Sequence, residues 1–175
     1  DFINGDVSNP NSTIEVGENG IGVYSIGGNG NLEAGNIKVG KDGIGIYAAG
    51  NGGTIHAKQP FTMTLGNGSD GDNKGSFGFV NVGTNNKIIS DITNITLQNN
   101  SIYIYSKDKS GTSSAPQIKN NTNITATGKN NYGIYSAGYG INTGNMNLQA
   151  GTGNVGIYSV KGGTIENRKR ADGTG

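Results

Sequence analysis

Few side chains in this sequence belong to the types that carry out catalysis. The 175-residue chain contains one histidine, no cysteine, and no arginine before Arg168. Without cysteine, neither a disulfide framework nor a zinc–thiolate site can form. A serine–histidine–aspartate arrangement could be built only around His56, which follows Ile55 in a strand-like segment and is expected to point outward. Hydrolysis of a polysaccharide needs two carboxylates at a set separation on one face, and no such pair recurs. We therefore expect no catalytic residue and no cofactor.

One acidic stretch, SDGDNKG at residues 69–75, offers the oxygen ligands that Ca²⁺ prefers. Asp70, Asp72 and Asn73 lie close together in it, beside glycine. The spacing departs from an EF-hand loop, because the twelfth position counted from Asp70 is Asn81 rather than glutamate. The stretch also does not recur, unlike the nonapeptide Ca²⁺ repeats. We interpret it as a solvated turn without a metal, and keep its polar residues as candidates for ligand binding.

Five tyrosines occupy the same position of a repeated glycine-rich phrase, of which GIGIYA is one copy. They are Tyr24, Tyr47, Tyr105, Tyr135 and Tyr158. An aromatic ring with a polar tip is suited to stacking against a sugar ring. Alternatively, tyrosines stacked from one strand to the next form a structural ladder that shields the hydrogen bonds between strands. Both interpretations stay open. Val80 takes the place of tyrosine in the copy FGFVN and interrupts the series.

The spacing of this phrase reveals a repeat. Tyr24 and Tyr47 are 23 residues apart, and so are Tyr135 and Tyr158. The intervals between Tyr47 and Tyr135, divided at Val80 and Tyr105, are 33, 25 and 30 residues. A repeat of this length is typical of a solenoid.

Two insertions account for the two longest intervals. They cover residues 66–76 and 106–117. Insertions on an otherwise regular solenoid are frequent places for binding. Lys107, Asp108 and Lys109 in the second insertion are therefore further candidates for ligand binding. The first insertion precedes a glycine–tyrosine strand and the second follows one, so we expect them on different edges.

Two further strand-like segments follow each glycine–tyrosine strand. TIHA at Thr54 is an example of the second and NIKV at Asn36 of the third, and residues that favour turns separate them. One unit of three strands cannot bury its own apolar face, whereas stacked units can, with strands ~4.8 Å apart. The sequence therefore predicts an all-β fold, a right-handed parallel β-helix or β-solenoid. We expect about 23 residues per rung and about seven rungs in a single domain over residues 1–175.

Alternation of side chains along a strand assigns the two faces of the glycine–tyrosine strands. One set of positions is almost entirely apolar and is predicted to face inward: Ile21/Val23, Ile44/Ile46, Phe77/Phe79, Ile102/Ile104, Tyr132/Ile134 and Val155/Ile157. The other set holds glycine and then tyrosine. This assignment places the tyrosines outside, each beside a glycine that leaves room for its ring.

Composition and charge argue against several partners. The net charge is +1, with acidic and basic residues dispersed, which disfavours nucleic acid and a membrane surface. No apolar run is long enough to span a membrane, so we expect no direct membrane insertion by this segment. The strand pattern stops within a rung at both ends. We therefore expect a segment of a longer solenoid, with any anchor outside it.

The repeated phrases GIGIY and VGIYS, with asparagine-rich turns between them, resemble the passenger regions of the large fusobacterial autotransporter adhesins. The resemblance covers roughly residues 12–167. It implies an extracellular segment displayed on the bacterial outer membrane by type V secretion. It also implies attachment to a host-cell surface protein or glycan, or to a partner bacterial surface, through direct binding or as a stalk.

The leading functional hypothesis is therefore a non-enzymatic adhesin segment. The alternative is a polysaccharide-degrading β-helix enzyme or a glycan-binding module like those of phage tailspikes, because the β-helix alone does not determine function. The scarcity of histidine and arginine and the lack of recurring carboxylate pairs disfavour the enzyme.

Overall fold

The computed structural model describes residues 2–4, 12–71 and 74–169, and this part of the chain contains strands and turns but no helix. The strands in chain order are β1 (Phe2–Asn4), β2 (Thr13–Val16), β3 (Ile21–Ile26), β4 (Gly30–Leu32), β5 (Asn36–Val39), β6 (Ile44–Ala49), β7 (Thr54–Lys58), β8 (Thr62–Leu65), β9 (Ser76–Asn81), β10 (Lys87–Asp91), β11 (Asn94–Leu97), β12 (Ser101–Ser106), β13 (Ile118–Asn120), β14 (Asn123–Ala126), β15 (Tyr132–Ser136), β16 (Tyr139–Asn142), β17 (Met146–Asn147), β18 (Val155–Ser159) and β19 (Thr164–Asn167).

Each strand pairs in parallel with the equivalent strand of the next rung. The glycine–tyrosine strands form a six-stranded sheet, β18-β15-β12-β9-β6-β3, which we call the tyrosine sheet. The second strands form a seven-stranded sheet, β1-β4-β7-β10-β13-β16-β19, which we call the second sheet. The third strands form two three-stranded sheets, β2-β5-β8 and β11-β14-β17. The predicted all-β parallel solenoid is confirmed, with about six turns, and the architecture is consistent with a right-handed parallel β-helix.

Two strands of the second sheet cannot be recognised from the sequence pattern. β4 reads GNL and β16 reads YGIN, and neither shows the apolar alternation of the other second strands. They belong to the second sheet nevertheless, because Gly30 pairs with Ile55 and Gly140 pairs with Ile118. Pairing with a neighbouring rung, rather than local propensity, defines these strands.

The corners before four of the six tyrosine-sheet strands repeat a backbone conformation. Asn19, Asp42, Asn100 and Asn130 all have positive φ, between 49° and 56°. Asparagine and aspartate tolerate this left-handed conformation better than other side chains do. The amide of Asn100 donates to the carbonyl of Lys129, and that of Asn130 to Thr152, each at 2.8–2.9 Å. The corner residues thus continue the hydrogen-bonding between rungs.

Apolar side chains from all three strands of each rung pack into a narrow core inside the solenoid. Its fully buried members include Ile37, Ile46, Ile55, Leu65, Phe79, Ile88, Leu97, Ile104, Ile118, Ile124 and Ile134. The inward assignment of Ile46, Phe79, Ile104 and Ile134 is therefore confirmed. A one-layer core of this kind explains how a chain with 31% apolar residues can fold.

The prediction that the residue before each glycine of the tyrosine sheet faces inward is wrong. Ile21 is 44% exposed, Ile44 is half-buried, and Phe77 packs its ring against Tyr105 on the outside. The glycines face inward instead: a Cβ on Gly45 would meet Met63 in the core at 3.1 Å.

The physical reason is a slip in the alternation at each glycine. Gly45 and Ile46 are both buried although they are consecutive, as at a bulge, where two successive residues share one side. The residue before the glycine and the tyrosine two residues after it therefore point outward together. Strict period-two alternation predicted the opposite for the first of these.

The inward glycines make a direct stability prediction. We expect Gly45→Ala to lower the free energy of unfolding by about 1–3 kcal/mol, because overpacking a tight core costs about that much. The added methyl would also lie 2.8 Å from the carbonyl oxygen of Gly78. Gly17→Ala is the matched control, since nothing lies within 4 Å of a Cβ built there. Chemical denaturation followed by circular dichroism gives both values. Equal midpoints for the two variants would contradict the inward assignment.

Candidate functional site

The outward tyrosines form two stacks on the tyrosine sheet. Tyr24 and Tyr47 stack with ring centroids 5.0 Å apart and planes 9° from parallel. Tyr105 and Tyr135 stack at 5.0 Å, and Tyr158 continues this stack at 4.9 Å from Tyr135. The terminal rings are the most open, with Tyr24 57% and Tyr158 45% exposed. The structure therefore brings together the five predicted tyrosines in groups of two and three.

Val80 separates the two stacks. It lies in register between Tyr47 and Tyr105 and is buried, so the aromatic surface is interrupted there. The residues that the alternation rule placed inside widen the three-ring stack instead. Phe77 meets Tyr105 edge-on at 5.9 Å, and Tyr132 meets Tyr158 edge-on at 6.1 Å. The result is a broad aromatic surface that we call the tyrosine face.

The hydroxyl of Tyr135 lies in a crowded part of this face. Burial against its neighbours raises the pKa of Tyr135, with smaller contributions from the hydroxyls of Tyr105, Tyr158 and Tyr132. The ammonium group of Lys107 acts in the opposite direction on this pKa. Lys107, on the second insertion, is therefore close enough to Tyr135 to influence it.

The first insertion is held against neighbouring rungs by two aspartates. Ser69 donates its backbone N–H and its hydroxyl to the carboxylate of Asp42, at 2.6 and 2.5 Å. Asp70 accepts from the side-chain amide of Asn100 at 3.1 Å and forms an ion pair with Lys129 at 3.3 Å. The candidates Asp72 and Asn73 lie outside the described residues. Ser76 begins β9 rather than ending the insertion.

Of the three candidate residues in the second insertion, one is buried and has a structural role, and two are exposed. Asp108 is buried, and its carboxylate accepts from the backbone N–H groups of Asn86 at 3.0 Å and Ser110 at 2.9 Å. Lys107 and Lys109, on either side of it, are exposed. The insertion runs from residue 107 to residue 117, because Ser106 ends β12. It leaves the corner after a tyrosine-sheet strand, so the two insertions do lie on different edges.

A cleft opens between the second insertion and the corner that follows β9. It has a volume of about 450 Å³ and is lined by Val82, Asn85, Lys107, Lys109 and Ser110, among others. A second cleft of about 230 Å³ shares Asn85 and Ser110 with the first and is also lined by Lys87. We call the two together the insertion cleft.

His56 lies on the outer surface of the second sheet, as predicted. Its Nε2 lies 2.6 Å from a carboxylate oxygen of Asp91. The other carboxylate oxygen of Asp91 accepts from the Asn121 side chain at 2.5 Å, and Thr143 donates its hydroxyl to Asn121. This row runs across neighbouring rungs and is a polar ladder. The described residues place no serine hydroxyl within hydrogen-bonding distance of His56.

Sequence reasoning missed a hydroxyl cluster inside the solenoid. Tyr103 takes the place of the inward glycine in β12 and is fully buried. Its hydroxyl lies 2.5 Å from that of Ser90, which in turn lies 2.6 Å from that of Thr122. Burial raises the pKa of Tyr103 to about 12, so the phenol stays neutral. The tyrosine at position 103, where the other copies have glycine, was the sequence signal that could have revealed this cluster.

Neither a metal centre nor a helical membrane span is present in the described part of the chain. Its one histidine and its carboxylates form no group of three that could hold a metal ion. No helix there has the length and apolarity needed to cross a membrane. Comparisons with protein-family models, curated proteins and solved structures found no match to this chain.

The contacts of the first insertion predict a pH dependence. Hydrogen bonds from the Ser69 hydroxyl and amide lower the pKa of Asp42 below its ordinary value of 3.8, and hydrogen bonds from Asn100 and Lys129 lower that of Asp70. A carboxyl group with a lowered native pKa stabilises the fold in full above its unfolded pKa. That stabilisation is lost as the pH falls through the lowered native value. We therefore expect the insertion to stay attached near pH 4 and to detach only as the pH falls through these lowered values, below 3.8.

The amide resonance of Ser69 in a ¹⁵N–¹H spectrum reports this detachment. Asp42→Asn should shift the resonance at neutral pH towards its position in acid. Glu15→Gln is the control, because the Glu15 side chain is 74% exposed and lies on another rung. A Ser69 amide that keeps its chemical shift in acid and in Asp42→Asn would contradict the prediction.

Proposed function

We propose that this chain is a non-enzymatic segment of a bacterial surface adhesin that attaches to host cells or to other bacteria. The segment is displayed outside the cell on the outer membrane, as the resemblance of its repeats to fusobacterial autotransporter passengers implies. Its partner is a glycan or a protein of the opposing surface. The described residues act as binding elements on a rigid rod rather than as a passive spacer.

The observation that carries this proposal is the tyrosine face. A stack of three rings, flanked edge-on by Phe77 and Tyr132, presents a row of aromatic side chains on a rigid sheet. Aromatic rings with polar tips are enriched where proteins bind partners. Because backbone pairing between rungs fixes the strands, binding orders little that is not already ordered.

The polar groups of the described residues favour binding over catalysis. Asp91 is engaged by His56 and Asn121, and Asp108 by two backbone amides. A side chain that acts as general acid or base must lie within hydrogen-bonding reach of the substrate. These carboxylates instead connect one rung to another, which is a structural role.

Attachment of the purified chain to cells tests the proposal. Beads coated with the chain should adhere to epithelial cells or to partner bacteria, and Tyr135→Ala combined with Tyr158→Ala should reduce adhesion several-fold. Tyr135→Phe combined with Tyr158→Phe is the matched control, because it keeps the rings and removes only their hydroxyls. Thermal denaturation of both variants separates lost binding from lost structure.

Two results would contradict the proposal. Beads carrying the intact, folded chain that fail to adhere to any cell would leave it without an attachment function. Release of reducing sugar from polysaccharides by the intact chain, abolished in His56→Ala, would support the enzyme instead.

A further inference from the structure

The insertion cleft has the dimensions of a small-ligand site and a mainly polar lining. Its larger part, about 450 Å³, lies within the range of about 300–1,000 Å³ that such sites occupy. Val82, 37% exposed, supplies an apolar patch, and Asn85 and Ser110 supply amide and hydroxyl groups. A ligand with both apolar and hydroxyl-bearing faces matches this lining.

The first rungs pair their lysines with glutamates and this cleft does not, although Lys119 in β13, on a regular rung, also forms no ion pair with a described residue. Lys38, Lys41 and Lys58 each pair with a glutamate of the preceding rung, at 3.2, 3.8 and 2.8 Å. In contrast, Lys87, Lys107 and Lys109 lie at the insertion cleft and form no ion pair with any described residue. Three of the unpaired lysines of the described chain are therefore gathered at one site.

The carboxylate of Asp108 does not neutralise this group. Asp108 is buried, and both its oxygens accept backbone N–H groups, one from Asn86 and one from Ser110. Its role is to fix the path of the insertion. The three lysines exceed this single negative charge, so the cleft stays cationic at neutral pH.

The cleft also adjoins the tyrosine face. Lys107 follows Tyr105 by two residues, since Ser106 ends β12, and its charge acts to lower the pKa of Tyr135. A ligand held by Lys107 can therefore contact the edge of an aromatic side chain of this face. Cationic groups beside an apolar patch and aromatic rings recognise an anionic sugar better than a simple inorganic anion, which would use the charges alone.

We propose that the insertion cleft binds an anionic saccharide, whose carboxylate or sulfate groups are held by Lys107, Lys109 and Lys87. This inference rests on the proposed function and specifies its ligand class. Charge-assisted hydrogen bonds from the ammonium groups supply the strongest contacts, and the sugar ring packs against Val82.

Calorimetric titration of the intact chain tests this assignment. The probes are a heparin hexasaccharide, which carries sulfates, a hyaluronan hexasaccharide, which carries only carboxylates, a neutral maltohexaose and a single-stranded oligonucleotide. At least one anionic saccharide should bind, with an affinity that falls as salt rises, and maltohexaose should not. Binding of one anionic saccharide and not the other identifies the group recognised, and either pattern supports the proposal.

Lysine variants locate the site. K107Q combined with K109Q should weaken binding about tenfold, because each removed lysine loses a hydrogen bond to a charged group. K38Q combined with K41Q removes the same charge elsewhere and should stay within about twofold, since exposed ion pairs contribute little. K87Q alone should give an intermediate loss. Melting curves confirm that each variant is folded.

Several results would overturn the inference. These are no binding of either anionic saccharide, equal losses in the two double variants, and equally tight binding of the oligonucleotide. Cell adhesion distinguishes this failure from failure of the proposed function. A chain that adheres to cells but binds neither anionic saccharide refutes only the cleft assignment. A chain that binds the saccharide but no cell refutes only the adhesin.

Discussion

Parallel pairing places each residue directly against its counterpart one rung away, as Tyr105 lies against Tyr135 and Ile104 against Ile134. This constraint governs every other choice in the solenoid, because a side chain must be compatible with its neighbours ~4.8 Å above and below. Branched apolar side chains satisfy it inside. Glycine satisfies it where the strand turns two consecutive residues inward, since a Cβ on Gly45 would meet both Met63 and the carbonyl of Gly78.

Polar and aromatic side chains solve the same problem with ladders. Outside, tyrosine rings stack at 4.9–5.0 Å. Inside, the buried amide of Asn120 donates to Asn142, and that of Asn142 donates to Asn167, each at 2.7 Å. Like charges in register would repel, so lysine follows glutamate from one rung to the next, as Lys38 follows Glu15. Each exposed pair contributes little free energy. Together they disfavour pairing of the rungs in a shifted register.

The sequence predicted whatever depends on the repeat and missed whatever depends on a departure from it. The 23-residue spacing predicted the solenoid, side-chain alternation predicted the outward tyrosines, and the positions of the insertions along the repeat predicted the edges from which they leave. Strict alternation failed at the glycines, because it cannot anticipate two consecutive inward residues. The role of Asp108 was invisible as well, because its backbone partners Asn86 and Ser110 approach it only in the folded chain. Among the candidate residues, sequence position identified the insertion, and only the fold separated its buried carboxylate from its open lysines.

In a regular ladder, charged side chains pair with one another across rungs and are then not available to a ligand. Glu33 pairs with Lys58, and Asp91 pairs with His56, so these groups on the regular rungs are already engaged by a neighbouring rung. Binding capacity is therefore concentrated where the ladder is broken. The second insertion is such a break, because it separates Lys107 and Lys109 from any carboxylate that could pair with them while Asp108 turns inward. The rungs supply rigidity and the interruptions supply recognition. Shortening the insertion to a plain turn would remove the cleft without removing a rung.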